Sequence, residues 1–211
     1  NDLPFYRPDL HIVLADPLRL GDEAAYHPGE ANVRMADVVI INKCDSAEQA
    51  AIEQLEASIR SLNPEATVLL ADSPVTLDDP SLVAGKQVVV IEDGPTLTHG
   101  SMSFGAGVVG ARAAGVAGIV DPKPYAVGSL ATTYAKYPNA VGILPAMGYG
   151  AAQVADLAAT IEATPCEAVI SGTPIDITRV LQVSKPMTRA RYELREREPG
   201  RLAELVQAIL G

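Results

Sequence analysis

Seven short runs of Val, Ile, Leu and Ala recur along the chain, with segments of helical spacing between them. The runs lie at residues 10–15, 37–42, 66–72, 87–93, 118–121, 140–146 and 167–172. They are continuously apolar rather than alternating, which is typical of parallel strands covered on both faces. Ser46 is the expected N-cap of the helix after the second run, with Gln49 reaching back to it. The pattern predicts an α/β protein with doubly wound, mostly parallel sheets.

A division into two domains is expected near residues 72–86, "DSPVTLDDPSLVAGK", which are rich in Pro, Asp and Ser. The units would be 1–84, the C-terminal half of a nucleotide-binding α/β domain, and 85–211, a second α/β domain with glycine-rich anion-binding loops. Residues 188–195 alternate in polarity, which predicts a half-exposed strand at a sheet edge. Because no strand and glycine loop precede the first run, we expect the chain to be the C-terminal part of a longer protein.

Charge and composition exclude some classes of partner. The net charge is −10, and phosphate contacts of a nucleic-acid partner need a surplus of Lys and Arg. Neither a membrane-length apolar stretch nor a signal peptide occurs, so a cytoplasmic protein is expected. The basic residues Lys185, Arg189, Arg191, Arg195 and Arg197 cluster late in the chain. They form either a solvated strand face or a local anion site.

The segment "NKCD", residues 42–45, follows a predicted buried strand and precedes a predicted helix. Ligands of parallel sheets bind outside the carboxyl ends of strands, and an N-K-x-D motif there is similar to the guanine-binding motif of phosphate-loop GTPases. Asp45 can accept from two N–H groups of guanine, Lys43 can pack along the purine, and Asn42 can tie loops together. Asp72, at the next strand end, is a second candidate base contact. The alternative is a turn in which Asp45 caps the helix.

The segment that follows the fourth run is rich in glycine and in reactive side chains. The run ends at Glu92 and Asp93, and "GSMSFGAG" then has the glycine spacing of a phosphate loop, with Ala106 in place of lysine. Backbone N–H groups at a helix start attract anions. His99 is the candidate catalytic acid–base or phosphate donor, although a lone His is more often structural. The predicted phosphate- and substrate-binding residues are Thr96, Thr98, Gly100, Ser101, Gly105, Gly107 and, in a later loop, Thr173.

Taken together, these segments make the chain similar to the cyclic 2,3-diphosphoglycerate synthetase family. The similar segments are "DLPFYRPDLHIVLADP", "VVIINKCD", "EDGPTLTHGSMSFGAG", "VDPKPYAVGS", "LPAMGYG", "SGTPIDITRVL" and "KPMTRARYEL". The resemblance implies Rossmann-like and phosphate-loop-like layers. It also implies a nucleotide-dependent ligase that closes a phosphoanhydride ring in 2,3-diphosphoglycerate, mostly by positioning and charge neutralisation.

The resemblance further implies ATP as co-substrate, with Mg²⁺ and with Asp16 as the candidate metal ligand. The "NKCD" motif suits GTP instead, so both nucleotides stay open. The negative charges of the substrate would be met by His99, Lys185, Arg189 or Arg191. The implied partners are a small phosphorylated substrate, the nucleotide and the missing N-terminal part of the same protein, and a homodimer stays open.

Two other functional classes compete with the ligase. One is a phosphate-loop GTPase switch or a metallochaperone-like module without ligase activity, which would use the base-binding motif but has no need for several glycine loops around a second anion site. The other is a catalytically inert chain. Because no G-x-x-x-x-G-K-[ST] motif occurs, we expect these residues alone to hydrolyse neither ATP nor GTP at a useful rate.

Overall fold

The computed structural model describes residues 3, 5–94, 105–137, 140–146, 148 and 150–210. The chain divides into two compact units. The first comprises Asn1–Pro74 and Glu193–Gly211, and the second comprises Val75–Tyr192. Each unit has its own sheet and its own buried apolar clusters.

The sheet of the first unit has the strand order β1-β2-β3-β10. The strands are β1 (Ile12–Ala15), β2 (Val38–Ile41), β3 (Thr67–Asp72) and β10 (Arg195–Glu196). The first three are parallel, and β10 pairs antiparallel with the end of β3. All three parallel strands therefore end at one edge, where loops of different sequence origin meet.

Helices cover the two faces of this sheet. On one side, Ile52, Leu55 and Ile59 recur at helical spacing and are fully buried in the cluster that includes β2. On the other side, Leu202 and Leu205 pack against β2 and β3. The helices of this unit are α1 (Asp22–Ala25), α2 (His27–Met35), α3 (Gln49–Leu62) and α7 (Arg201–Leu210).

The sheet of the second unit has the order β4-β9-β8-β5-β6, and β7 pairs with the carboxyl-terminal half of β5. The strands are β4 (Val75–Leu77), β5 (Gln87–Asp93), β6 (Gly118–Ile119), β7 (Leu144–Ala146), β8 (Ala168–Ser171) and β9 (Met187–Tyr192). The helices are α4 (Ala106–Ala113), α5 (Gly128–Lys136) and α6 (Ala151–Ala163). Alternate β5 residues enter two separate clusters, one containing Val89 and Ile91 and the other Val88 and Val90. Both faces of β5 are therefore buried, which explains its continuously apolar sequence.

The predicted α/β class with mostly parallel sheets is confirmed, but several details differ. The strand expected at a sheet edge, β9, lies between β8 and β4, because β4 pairs with it antiparallel. The expected linker at residues 72–86 therefore contains a strand. The boundary between the units falls between Pro74 and Val75 in the sequence rather than near residue 84. The chain after Tyr192 belongs to the first unit again.

The capping prediction for α3 is wrong. The helix begins at Gln49, so Glu48 occupies the N-cap position, and it makes no side-chain capping bond. Ser46 lies too early in the chain to serve as that cap. Among the helices of the described ranges, none has the length and apolar character needed to cross a bilayer.

Candidate functional site

The "NKCD" loop is tied to the strands on both sides of β2. The Asn42 amide donates to the Ala15 carbonyl at 2.9 Å, and the Cys44 amide donates to the Ala71 carbonyl at 3.0 Å. The Asp45 Oδ1 atom accepts from the Ser73 amide at 2.9 Å. The loop is thus held against the ends of β1 and β3. This is the edge at which ligands of parallel sheets bind.

Lys43 has an unusual backbone conformation within this loop. Its φ angle is 62°, in the left-handed region that residues other than glycine rarely adopt. Its Nζ atom donates to Asp16 Oδ2 at 2.5 Å, and both side chains are partly buried. The strained conformation directs Lys43 across the end of β1. Strain of this kind clusters at ligand-binding loops.

Two substitutions of Lys43 together separate the energetic cost of its positive φ angle from the effect of its ion pair with Asp16. Both Lys43→Gly and Lys43→Ala remove the ion pair with Asp16, but only glycine adopts a positive φ without a steric penalty. We therefore expect the glycine variant to exceed the alanine variant in unfolding free energy by about 1 kcal/mol. Urea unfolding measures the difference. Equal stabilities would contradict a left-handed conformation at this position.

The two predicted acidic base contacts have different surroundings. Asp45 is exposed and lies three residues before the N-cap Glu48, so it does not cap α3 as the alternative proposed. Asp72 accepts from Arg197 Nε at 2.8 Å and lies 3.8 Å from an Arg195 guanidinium nitrogen. Asp72 therefore anchors β10, whereas Asp45 remains accessible to a ligand.

Asn42 carries a buried side-chain oxygen without a partner among the described residues. This atom, Oδ1, is excluded from solvent and makes no hydrogen bond there. Buried polar atoms are nearly always satisfied. The oxygen lies in the same loop as Asp45, at the same strand edge, and the described residues leave its hydrogen-bonding capacity unused.

Asp16, the predicted metal ligand, has both carboxylate oxygens engaged. Oδ1 accepts from the Leu18 amide at 2.9 Å, and Oδ2 binds the Lys43 ammonium. Within the described ranges, no three His, Cys, Asp or Glu side chains are grouped as a metal site requires. These residues do not fit a magnesium ion held by the protein, because the ammonium occupies the place of a cation.

In the second unit, Glu92 at the carboxyl end of β5 is almost fully buried, with 1% exposed. Its Oε1 atom accepts from the Gly105 amide at 3.0 Å and the Val108 amide at 2.9 Å. Both amides belong to the start of α4. Burial, with a smaller contribution from the charge of Asp93, raises the pKa of this carboxyl to about 7 against the opposing effect of the backbone hydrogen bonds.

Glycines permit the close packing around this carboxyl. A Cβ atom on Gly172 would lie 2.5 Å from Glu92 Oε2 and 2.6 Å from the Gly107 nitrogen. A Cβ atom on Gly105 would lie 2.5 Å from the same oxygen. Contacts this short do not occur for real side chains. Glycine is therefore required for steric reasons where β5, β8 and α4 meet.

The predicted anion site at Gly105 and Gly107 takes a different form from the one expected. The amides at the start of α4 donate to Glu92, so a carboxyl oxygen of the protein itself occupies the position at which a helix start would bind an anion. The predicted residues Thr96, Thr98, His99, Gly100 and Ser101 lie outside the described residues.

The three predicted substrate cations do not converge. Lys185 donates to the carbonyls of Ile161 and Thr164 at the end of α6, and it precedes β9, at the edge opposite the strand ends. Arg191 forms a two-bond pair with Asp78, with distances of 2.8 and 3.0 Å. Both are therefore engaged in structural contacts.

Arg189 and Thr173 do lie at the carboxyl edge of the second sheet. Arg189 pairs in register with Ser171, donates to the Pro174 carbonyl, and has a buried Nε atom without a partner among the described residues. Thr173 is buried and donates to the Ile175 carbonyl at 2.9 Å. The structure thus brings these two residues near one strand end.

Ser73 and Glu92 make contacts that the sequence pattern did not predict. The Ser73 amide fixes Asp45, and a backbone donor leaves no signal in the residue type. Glu92 could have been recognised as exceptional, because a carboxylate at the end of a buried strand needs compensating donors.

Comparison with known proteins identifies two similarities, one to a family model over part of the chain and one to a curated protein over nearly all of it. Residues 6–70 match the family model described as "CobW/HypB/UreG, nucleotide-binding domain". Over 207 residues the chain is 52% identical to arginine synthetase ArcE of Thermococcus kodakarensis, an alignment that covers 98% of this chain and 46% of that protein. The chain thus spans about half the length of the curated relative that it matches.

These findings contradict the predicted cyclic 2,3-diphosphoglycerate synthetase family and the enzyme activity derived from it. The relative that is 52% identical is named an arginine synthetase, and the matching family model describes the CobW/HypB/UreG nucleotide-binding domain. The predicted ring-closing ligase is therefore wrong. The findings support the alternative, a GTPase switch or metallochaperone-like module, better than that ligase. The match over residues 6–70 supports nucleotide binding in the first unit.

Proposed function

We propose that the first unit binds a purine nucleotide at the carboxyl edge of its sheet and that Asp45 binds the base. The observation that carries this proposal is the "NKCD" loop itself. Lys43 connects it to Asp16 after β1, the Ser73 amide connects it to the end of β3, and Asp45 stays exposed. A loop that follows β2 and is fixed to the ends of β1 and β3 is preorganised, which lowers the entropic cost of binding.

The carboxylate of Asp45 favours guanine over adenine. Guanine presents N1–H and an exocyclic amine on one edge, and a carboxylate can accept from both in charge-assisted hydrogen bonds. Adenine presents an acceptor at N1, which would face the carboxylate unfavourably. Magnesium, in this proposal, is held by the phosphates of the nucleotide, because Asp16 is engaged by Lys43.

Competition binding tests the choice of base. The chain is titrated with a fluorescently labelled GDP, which is then displaced with unlabelled GDP or ADP. Loss of the paired contact is expected to make ADP at least about tenfold weaker than GDP as a competitor. Equal displacement by the two nucleotides would remove Asp45 from the base site.

We further propose that the chain contributes this nucleotide site to an arginine synthetase. The support is the 52% identity to arginine synthetase ArcE, which extends through both units rather than through the nucleotide-binding segment alone. Calorimetry with L-arginine, using L-lysine as the control cation, tests this step. Arginine should bind about tenfold or more tightly than lysine, because only a guanidinium offers paired donors. Indistinguishable binding of the two amino acids would argue against it.

The second candidate function is a nucleotide-dependent switch or metallochaperone-like module. Its support is the match of residues 6–70 to the CobW/HypB/UreG nucleotide-binding domain. This candidate predicts stoichiometric binding of a divalent transition metal and no preference for arginine. Titration with nickel, cobalt or zinc, read alongside the arginine experiment, separates the two functions.

A further inference from the structure

The ends of β5 and β8 mark the point at which the second sheet changes its direction of winding. From β5 the chain continues to β6 on one side, and from β8 it continues to β9 on the other side. The segment after β5 enters α4, which packs Val108 and Ala111 on one face of the sheet. The segment after β8 packs Ile177 and Leu181 on the opposite face. Ligands of parallel sheets bind in the crevice at such a point, so a ligand of the second unit is expected there.

Three polar side chains lie on one face of the sheet at this edge. Asp93 ends β5, Ser171 ends β8, and Arg189 of β9 is in register with Ser171. Two positions before each of them lies an apolar residue of one cluster: Ile91, Val169 and Met187, respectively. Because alternate residues of a strand share a face, the three polar side chains lie on the same face as that cluster. The edge therefore carries an acid and a base two strands apart, with a hydroxyl between them.

The base, Arg189, has an unused donor and an uncompensated charge. Its Nε atom is excluded from solvent and has no hydrogen-bond partner in the described part of the chain. Two other arginines of this region are neutralised, Arg179 by Asp176 and Arg191 by Asp78. Arg189 forms no such ion pair with a described residue. A buried donor without an acceptor is costly, so the guanidinium of Arg189 is suited to an anionic group that the described residues do not supply.

The acid, Asp93, has the complementary deficiency. Its side chain is half-buried, and burial raises the pKa of this carboxyl. Neither a hydrogen bond nor a cation from the described ranges offsets that burial. A carboxylate that loses water in this way is stabilised by an opposite charge. Asp93 is therefore suited to the cationic group of a ligand.

We propose that the second unit binds L-arginine across the end of β8, with the α-carboxylate of the ligand on Arg189 and its guanidinium on Asp93. The inference rests on the proposed role in an arginine synthetase. Two strand spacings separate β5 from β9, roughly 10 Å. Extended arginine measures roughly 7 Å from its carboxylate carbon to its guanidinium carbon, and a hydrogen bond at each end supplies the remainder.

The two ends of the site select against other ligands. A guanidinium offers two parallel donors to one carboxylate, and a carboxylate accepts paired donors from an arginine side chain. A phosphorylated substrate fits less well, because Asp93 would face it with a second negative charge. Between the two ends, the buried hydroxyls of Ser171 and Thr173 lie 3.3 Å apart and form the floor.

Calorimetry with L-arginine and with agmatine, which is arginine without its carboxylate group, tests both ends of the site. Arg189→Gln should weaken arginine binding about 30-fold and change agmatine binding by less than about twofold, because agmatine has no group for Arg189. Asp93→Asn should weaken both ligands by a similar factor, since both carry the guanidinium. The control is Lys136→Gln, which removes an exposed charge at the far end of α5 and should change neither affinity.

Retained agmatine binding shows that the Arg189→Gln variant is folded, and Asp93→Glu, which keeps the carboxylate, should bind both ligands more tightly than Asp93→Asn. Arginine affinity that is unchanged in Arg189→Gln and Asp93→Asn would overturn this inference alone and leave arginine binding by the chain intact. Equal weakening of arginine and agmatine by Arg189→Gln would also overturn it. Failure of the unaltered chain to bind arginine would overturn the proposed arginine function, and this inference with it.

Discussion

Replacing Asp45 with asparagine is expected to weaken GDP binding by roughly 100-fold, because two charge-assisted hydrogen bonds to guanine are lost. The same change should improve binding of xanthosine diphosphate, whose base presents an acceptor where guanine presents an amine. The amide of asparagine can donate to that acceptor. Displacement of labelled GDP by the two nucleotides measures both changes.

Asp72→Asn is the matched control for this prediction. Asp72 is bound by Arg197 and lies near Arg195, so its replacement should loosen β10 and lower stability. It should alter GDP affinity by less than about threefold, because the Asp72 carboxylate is engaged by Arg197 and in this account does not contact the base. If the Asp72 variant loses guanine preference while the Asp45 variant keeps it, the base site lies at the end of β3 instead.

The second unit should become less stable as the pH rises through the range of Glu92 titration. The folded-state pKa is about 7, above the ordinary value of 4.5, so the folded state retains the proton between these values while the unfolded state has lost it. The contribution of Glu92 to the free energy of unfolding is therefore fully present below about pH 4.5. It decreases as the pH rises to about 7, by about 3 kcal/mol in total. Glu92→Gln, which cannot ionise, should lose this decrease. Urea unfolding at about pH 5 and about pH 8 measures it.

Glu162→Gln is the control, because Glu162 is exposed and its pKa is lowered by hydrogen bonds from Ser184. For such a group, stability is present above the ordinary pKa and is lost on acidification. Its replacement should therefore change the pH dependence in the opposite sense and only slightly. A Glu92→Gln variant with the same pH dependence as the unaltered chain would show that burial does not hold the proton on Glu92.

The sequence was sufficient to predict the parallel strands and the edge where their ends meet. Continuous apolar runs identify strands buried on both faces, and the position of "NKCD" after β2 follows from that assignment alone. The three ties that hold this loop could not be predicted in detail. All three have a backbone amide as donor, that of Asn42, Cys44 or Ser73, which any residue type other than proline supplies.

Long-range pairing accounts for the expectations that failed. The short strand β4 is too brief to stand out from a loop, and its pairing with β9 determines that β9 is not an edge. The positive charge of Lys185 suggested an anion site, but the side chain meets carbonyls at the end of α6. The error over the family has another origin. Glycine loops at strand ends occur in many α/β enzymes, and a fold does not specify a substrate.

Backbone amide shifts on addition of GDP test the proposed nucleotide site most directly. In spectra of the isotope-labelled chain, the largest changes should fall on Asn42, Lys43 and Ser73, at the carboxyl edge of the first sheet. The Asp45→Asn variant should show these changes only at much higher GDP concentrations. Changes confined to Gly105 and Val108, with the "NKCD" loop unaffected, would contradict a base site in the first unit.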